Sequence, residues 1–183
     1  EFRRVLFRSD LTDIADLVTR SCSRAAQLIS GFKQLAVGRA AERRGISALL
    51  PLVQEVVATQ QGKLQSPVWQ VQYAIAPDLV YEGYLHPLIR VVTALVENAH
   101  THAFTGRAQG TLRIAASLLP AGSIELEVAD DGVGMDARTL ALVFDPFFTT
   151  RLGQGGSGLG LNIVYNLVPK SLGGTISAES TLG

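Results

Sequence analysis

The stretch VFDPFFTTRLGQGGSGLGLNIVYNLV, residues 143–168, carries the strongest signal in the chain. In Phe144-Asp145-Pro146-Phe147-Phe148-Thr149-Thr150-Arg151, two aromatic rings stand side by side next to a proline and lead straight into glycines. Adjacent phenylalanines in such a loop are poor core material unless the loop folds over something. Gly153-Gln154-Gly155-Gly156-Ser157-Gly158-Leu159-Gly160-Leu161 then opens a helical pattern. Clustered backbone N–H groups therefore coincide with a helix N-terminus, an arrangement that holds anions. A dinucleotide fingerprint is excluded, because these glycines follow no strand of a βαβ unit and fall late in the chain. The lysine of a Walker loop is missing as well.

Two further clusters lie upstream. Asp130-Asp131-Gly132-Val133-Gly134 follows the strand-like run 124–128. A carboxylate at a strand end can accept a hydrogen bond from an exocyclic amine, and glycines let the backbone approach a planar ring closely. Alone this is weak, since Asp-Gly pairs mark ordinary turns. Glu97-Asn98-Ala99-His100-Thr101-His102 sits near the end of an apolar helical pattern. Asn98 and His102 are four apart and share a face. An amide oxygen suits a hard cation, and an imidazole N–H can meet a phosphate. His100 and His102, two apart, diverge by about 200° on a helix, which does not suit a shared metal.

Periodicity supplies the remaining elements. Leu11, Ile14, Val18, Ser21, Ala25, Leu28, Phe32 and Leu35 follow a 3-4-3-4-3-4-3 spacing over residues 10–37, a heptad seam that needs a partner helix. The charged, glycine-bounded GRAAERRG reads as a linker, assigned to 39–45. Ser47 is expected to cap a helix to about residue 61, with Pro51 in its first turn. Residues 69–75 alternate as a half-buried strand, and 84–103 form a helix with Leu85, Leu88, Val92, Leu95 and Ala99 on one face. Segments 111–118 and 123–129 form a hairpin, Asp136 caps a short helix, 158–172 is helical, and 175–180 is a last strand. The fold class expected is α+β: a two-layer sandwich, mixed sheet with helices on one face, behind a long amphipathic helix.

Composition narrows the function. The 183 residues are 47% hydrophobic and 17% charged, a globular balance. Sixteen Lys+Arg offset sixteen Asp+Glu, which argues against a non-specific nucleic-acid binder. A single cysteine, Cys22, excludes an internal disulfide framework. No apolar run reaches the roughly 18 residues of a membrane helix, so membrane attachment is expected only through segments outside these residues. Glu1 to Ser9, EFRRVLFRS, resembles a sequencing-library adapter translated in frame and is set aside.

Taken in order, the four clusters resemble the N, G1, F and G2 boxes of the ATP-binding catalytic domain of bacterial sensor histidine kinases, a Bergerat fold. The resemblance spans residues 46–183 and implies ATP and Mg²⁺ as ligands. By it, Asn98 coordinates Mg²⁺, Asp130 reads adenine, and Gly132 and Gly134 shape that pocket. Phe147 and Phe148 anchor a lid over 145–157 that includes Thr149 and Arg151. Gly156, Ser157, Gly158, Leu159, Gly160 and Leu161 meet the phosphates, and His102 takes a phosphate-side position. Glu97 is placed to orient or deprotonate the histidine nucleophile. Residues 10–38 resemble the second helix of a dimerisation hairpin, which implies a homodimer and a response-regulator partner. A cytoplasmic domain of a membrane-anchored protein is implied too. There are two departures: Thr101 stands where many members carry a basic residue, and the phosphoacceptor histidine is not found. His86-Pro87 lies inside the catalytic domain and reads as a surface histidine at a helix start. A final strand after 175–180 is expected beyond these residues. The competing expectation is an ATP-gated conformational ATPase of the same superfold, of the gyrase, mismatch-repair or chaperone type.

Overall fold

The computed structural model describes residues 14, 18, 43–63, 69–151 and 156–182. Two compact units emerge: residues 42–148 with 158–183, and residues 1–41 with 149–157. The larger one holds the sheets and their helices.

Its chain begins with β1 (Arg44–Ala48), which pairs antiparallel with β3 (Val80–Tyr84) in the register Ile46↔Glu82. Sequence reading placed Arg44 and Gly45 at the end of a linker and Ser47 at a helix cap. Instead Ser47 lies within β1, and its hydroxyl donates to the Ala48 carbonyl at 3.3 Å. Helix α1 (Leu49–Lys63) needs no side-chain cap there, because Leu49 N–H donates to the Leu79 carbonyl at 2.9 Å. Both strands are short and contain a glycine, so neither gives a clear alternating signal.

The main sheet has the order β2-β4-β5. β2 (Trp69–Ile75) runs parallel to β4 (Gly110–Leu118), with Trp69 opposite Gly110. β4 and β5 (Ile124–Asp130) form the expected antiparallel hairpin, with Leu112 opposite Asp130. Parallel and antiparallel pairs in one sheet make it mixed. The β2 pattern alternates as predicted, Trp69 and Ile75 inward and Gln70 and Gln72 in solvent.

α2 (Leu85–Asn98) is the central helix of the fold. Leu88, Val92 and Val96 face a core shared with Val53 and Val57 of α1 and with Leu112 and Ile114 of β4. Val91 faces the other way, onto Val164 and Leu167 of α4 (Gly160–Leu167). Full burial of such aliphatic side chains is worth about 1.5–3 kcal/mol each, so α2 is anchored on two sides. α3 (Ala137–Leu142) is short and capped by Asp136, as expected.

The ends of the two long helical patterns are unusual. α2 widens into a π turn over Ala99–Ala103, and α4 into another over Val168–Leu172. Pro169 accounts for the second, since it has no N–H to continue the α ladder. The segment 175–180, expected as a strand, joins no ladder among the described residues. Its Ser180 hydroxyl oxygen accepts from Met135 N–H at 2.8 Å. Of the heptad seam, Ile14 and Val18 are helical and exposed. The rest of the seam, and residues 1–9, lie outside the described residues.

Candidate functional site

Glu97 and Asn98 end α2, the first exposed and the second half-buried. The buried Val96 beside them ties this end to the core. Past Asn98 the helix does not stop. Ala99 N–H is shared between the carbonyls of Leu95 and Val96, and the π turn follows. An inserted π residue re-aims every later side chain, and such turns concentrate at functional sites. His102 is half-buried within this turn, and the Thr105 hydroxyl donates to its carbonyl at 3.3 Å. His100, considered above only as half of a histidine pair, accepts at Nδ1 from the Trp69 indole N–H at 3.1 Å. Among the described residues no group of three His, Cys, Asp or Glu could hold a metal.

Ala103, the last residue of the π turn, meets the Asp130 loop. Its carbonyl, one of the orphans of a helix end, accepts from Val133 N–H at 2.9 Å. Gly132 packs so closely on Ala103 that a Cβ there would overlap the Ala103 carbonyl. Gly134, at φ +68, passes against the Thr181 carbonyl in the same way. The two adjacent carboxylates have different tasks. Asp131 is structural: its Oδ1 accepts from Thr111 N–H at 2.7 Å, its own N–H donates to the Thr111 carbonyl at 3.2 Å, and Arg107 donates to its carbonyl. Asp130, exposed at the tip of β5, accepts from Gly132 N–H at 3.0 Å through Oδ1 and otherwise faces outward.

The 144–148 segment is fastened to α4. Phe144 lies against Tyr165 with ring centroids 5.2 Å apart, and its carbonyl accepts from the Asn162 amide at 2.9 Å. Asn166 in turn donates to the Asn162 carbonyl at 2.8 Å, and Lys170 to Asn166 Oδ1 at 2.7 Å. Phe147 N–H donates to the Gly158 carbonyl at 2.9 Å, so the chain leaves and re-enters at one point. Phe147 has φ +68, the only non-glycine at positive φ among the described residues. Phe148 is half-buried, its N–H donating to the Asp145 carbonyl at 3.3 Å. Gly158, at φ +66, sits under the Phe147 and Phe148 backbone, where a Cβ has no room. Leu159 precedes α4 and provides no side-chain cap; Gly160 has nothing within 4 Å where a side chain would stand, and Leu161 is half-buried.

Thr149, Arg151, Gly156 and Ser157 belong to the smaller unit. There Thr149 Oγ1 accepts from Arg151 N–H at 3.1 Å, Gly156 packs on Thr149, and Ser157 is exposed. Asp136 caps α3 by accepting from Thr139 N–H at 2.7 Å. Hydrogen bonds from the Thr139 hydroxyl and then its N–H lower the Asp136 carboxyl below its ordinary value. Sequence reading missed the Trp69–His100 bond, the Asn162 brace and the Asp131 clamp. A lone tryptophan opening a strand was the one available signal for the first. Nothing in spacing reveals the other two.

Residues 83–183, more than half of the chain, match the family model described as Histidine kinase-, DNA gyrase B-, and HSP90-like ATPase. The sensor histidine kinase ZraS of Klebsiella oxytoca is 42% identical over 96 residues, covering 52% of this chain and 20% of that protein. A putative sensor protein of Shewanella frigidimarina is 28% identical over 167 residues, 91% of this chain and 25% of that one. The chain thus spans about a quarter or less of the length of these curated relatives. In fold, the catalytic domain of the histidine kinase ThkA superposes with a TM-score of 0.60 at 23% identity, over 70% of this chain and 82% of that one. With its Asp130 loop seated on the end of its Asn98 helix, the chain belongs to the histidine kinase-, DNA gyrase B- and HSP90-like ATPases and carries an ATP-binding catalytic domain of the sensor histidine kinase kind.

Proposed function

We propose that the protein to which this chain belongs is a two-component sensor kinase, moving the γ-phosphoryl of ATP to a histidine and then to a response-regulator aspartate. One observation carries the site assignment. The Val133–Ala103 bond seats the loop bearing Asp130 on the end of the helix bearing Asn98, so both motifs converge from distant parts of the chain. The residues present fit Mg²⁺·ATP. Gly132 and Gly134 let the Asp130 loop pass close against Ala103 and Thr181 while Asp130 stays exposed, the space above Gly160 is open at a helix start, and Asn98 offers a hard oxygen donor. When bound, Mg²⁺·ATP supplies the phosphoryl group and the cation that screens its charge.

The chain's own residues then divide the work. Asp130, braced by Gly132 N–H, accepts from the adenine amine. Asn98 and His102 hold the Mg²⁺ and phosphate side. Gly156, Ser157, Gly158, Leu159, Gly160 and Leu161 present main-chain N–H groups to phosphate oxygens, with Thr149, Arg151, Phe147 and Phe148 in the lid. Glu97, exposed beside Asn98, orients the incoming imidazole. Most acceleration comes from positioning and charge neutralisation. Dimerisation through helix 10–37, a regulator partner and a cytoplasmic location beneath a membrane anchor complete the reading. No described helix is long and apolar enough to cross a membrane.

Calorimetric titration of ATP into the chain and its Asp130→Asn variant tests the assignment. Binding should be lost in the variant, and an unchanged affinity refutes the adenine role. Radiolabelled ATP should leave no phosphohistidine on His86, His100 or His102, the three histidines of the chain. Stable label there overturns the proposed direction of transfer.

A further inference from the structure

The turn that follows Asn98 is held from behind. Trp69, the single tryptophan of the chain, opens β2 and is only 4% exposed. Its Nε1–H donates to His100 Nδ1 at 3.1 Å, and its ring stacks on Phe104 at 6.3 Å and 18°. Phe104 in turn covers Gly110, the register partner of Trp69 on β4, where a Cβ would enter the phenyl ring. One aromatic side chain of the sheet thus grips the π turn at His100, near its start, and at Phe104, directly after its end. A helix rarely adopts a π turn unaided, so contacts outside it must select that geometry. The same turn ends on the Ala103 carbonyl that receives Val133 N–H.

The geometry points to Trp69 as a positioning residue for nucleotide binding. Its bond to His100 and its stack on Phe104 set the π turn, and the turn sets the spacing between Asn98 and the Asp130 loop. This rests on the assignment of that helix and loop as the ATP site. Trp69 acts through His100 and Phe104, not by contact with the nucleotide.

ATP affinity and melting temperature, measured on the full chain, separate positioning from simple stability. Trp69→Phe keeps a ring on Phe104 and removes the donor. His100→Leu removes the acceptor, and the double variant replaces both partners by apolar groups, which recovers stability lost to one unpaired polar atom. Trp69→Phe should weaken ATP binding on the order of fivefold. The double variant should regain melting temperature but not affinity. Recovery of both, or wild-type affinity in Trp69→Phe, overturns the proposal. If Trp69→Phe melts without cooperativity, the pair His100→Gln and His100→Leu replaces it. Gln can accept from the indole and should bind ATP more tightly than Leu; equal affinities overturn the proposal. Failure of the unaltered chain to bind ATP removes the site assignment and this inference with it. ATP binding that is lost in Asp130→Asn but unmoved across the Trp69 and His100 variants removes the positioning role alone.

Discussion

Gly132→Ala puts the junction between helix and loop to a quantitative test. A Cβ on Gly132 would stand 2.6 Å from the Ala103 Cβ and 2.7 Å from its carbonyl carbon, and closer still to the carbonyl oxygen. Those atoms belong to a buried residue of the π turn, so no flexible side chain can swing aside. The loop must lift. Lifting it breaks the Val133–Ala103 bond of 2.9 Å and loosens the Gly132–Asp130 bond of 3.0 Å. One main-chain bond is worth about 1 kcal/mol net, and forcing a methyl into a packed contact adds about 1–3 kcal/mol. The total, about 2–4 kcal/mol, leaves a domain of ordinary stability folded at 25 °C. Melting should fall by roughly 4–16 °C.

ATP affinity should fall with it, by about tenfold or more, because a charged acceptor loses its aim. Gly122→Ala is the control. Gly122 also has positive φ, +80, but nothing lies within 4 Å, and it turns the hairpin at the end of β5 away from Asp130. It should cost only the left-handed strain, about 1 kcal/mol, and leave ATP binding intact. Differential scanning fluorimetry with and without ATP reads both quantities. A Gly132→Ala chain that melts and binds ATP like the Gly122→Ala chain would refute the account of this junction.

Two further outcomes are expected. Gly160→Ala meets no atom within 4 Å and lies in the first turn of α4, so helix propensity should raise stability by up to about 1 kcal/mol. If phosphate approaches that backbone, ATP affinity falls in the same variant; stability and affinity rising together would exclude the phosphate role. Asp136→Asn keeps an N-cap while removing the charge. The folded Asp136 pKa is lowered, chiefly by the Thr139 hydroxyl. Its contribution is therefore present above the unfolded pKa and lost as pH falls through the folded one. Melting curves from neutral to acidic pH should show a slightly smaller acid loss in Asp136→Asn, and identical pH profiles would count against the cap's charge.

What was legible in the sequence follows physical periodicity. α2, β2, the β4–β5 hairpin and the Asp136 cap each follow from regular apolar spacing or one local side-chain bond, and a single stretch of sequence displays both. β1 and β3 were hidden because they stabilise each other across the intervening α1 and β2, and each has only five residues including a glycine. The 175–180 segment reads as a strand in sequence, but among the described residues it joins no ladder, and its Ser180 hydroxyl accepts from Met135 N–H instead. The π turn after Asn98 could not be read at all, and the tryptophan bonded to it, Trp69, lies thirty-one positions from His100.

The placement of strain bears on how the site works. Phe147 is left-handed without being glycine, and the helix of Asn98 ends in a π turn. Both departures fall inside the motifs, and both are held by hydrogen bonds: Phe147 to Gly158 on one side, Ala103 to Val133 on the other. Asp130 and Phe147 themselves are exposed, so hydrophobic burial cannot fix them. The Asp130 loop is thereby tied to the end of α2, and the 144–148 segment to α4 through Asn162. Between α2 and α4 the contact is apolar, Val91 against Val164 and Leu167. Burial of Val91, Val164 and Leu167 holds the two helices together, and Met135 N–H donating to Ser180 adds a hydrogen bond between the loop after Asp130 and the segment that follows α4, so each exposed motif is fixed through its neighbours and not by its own burial.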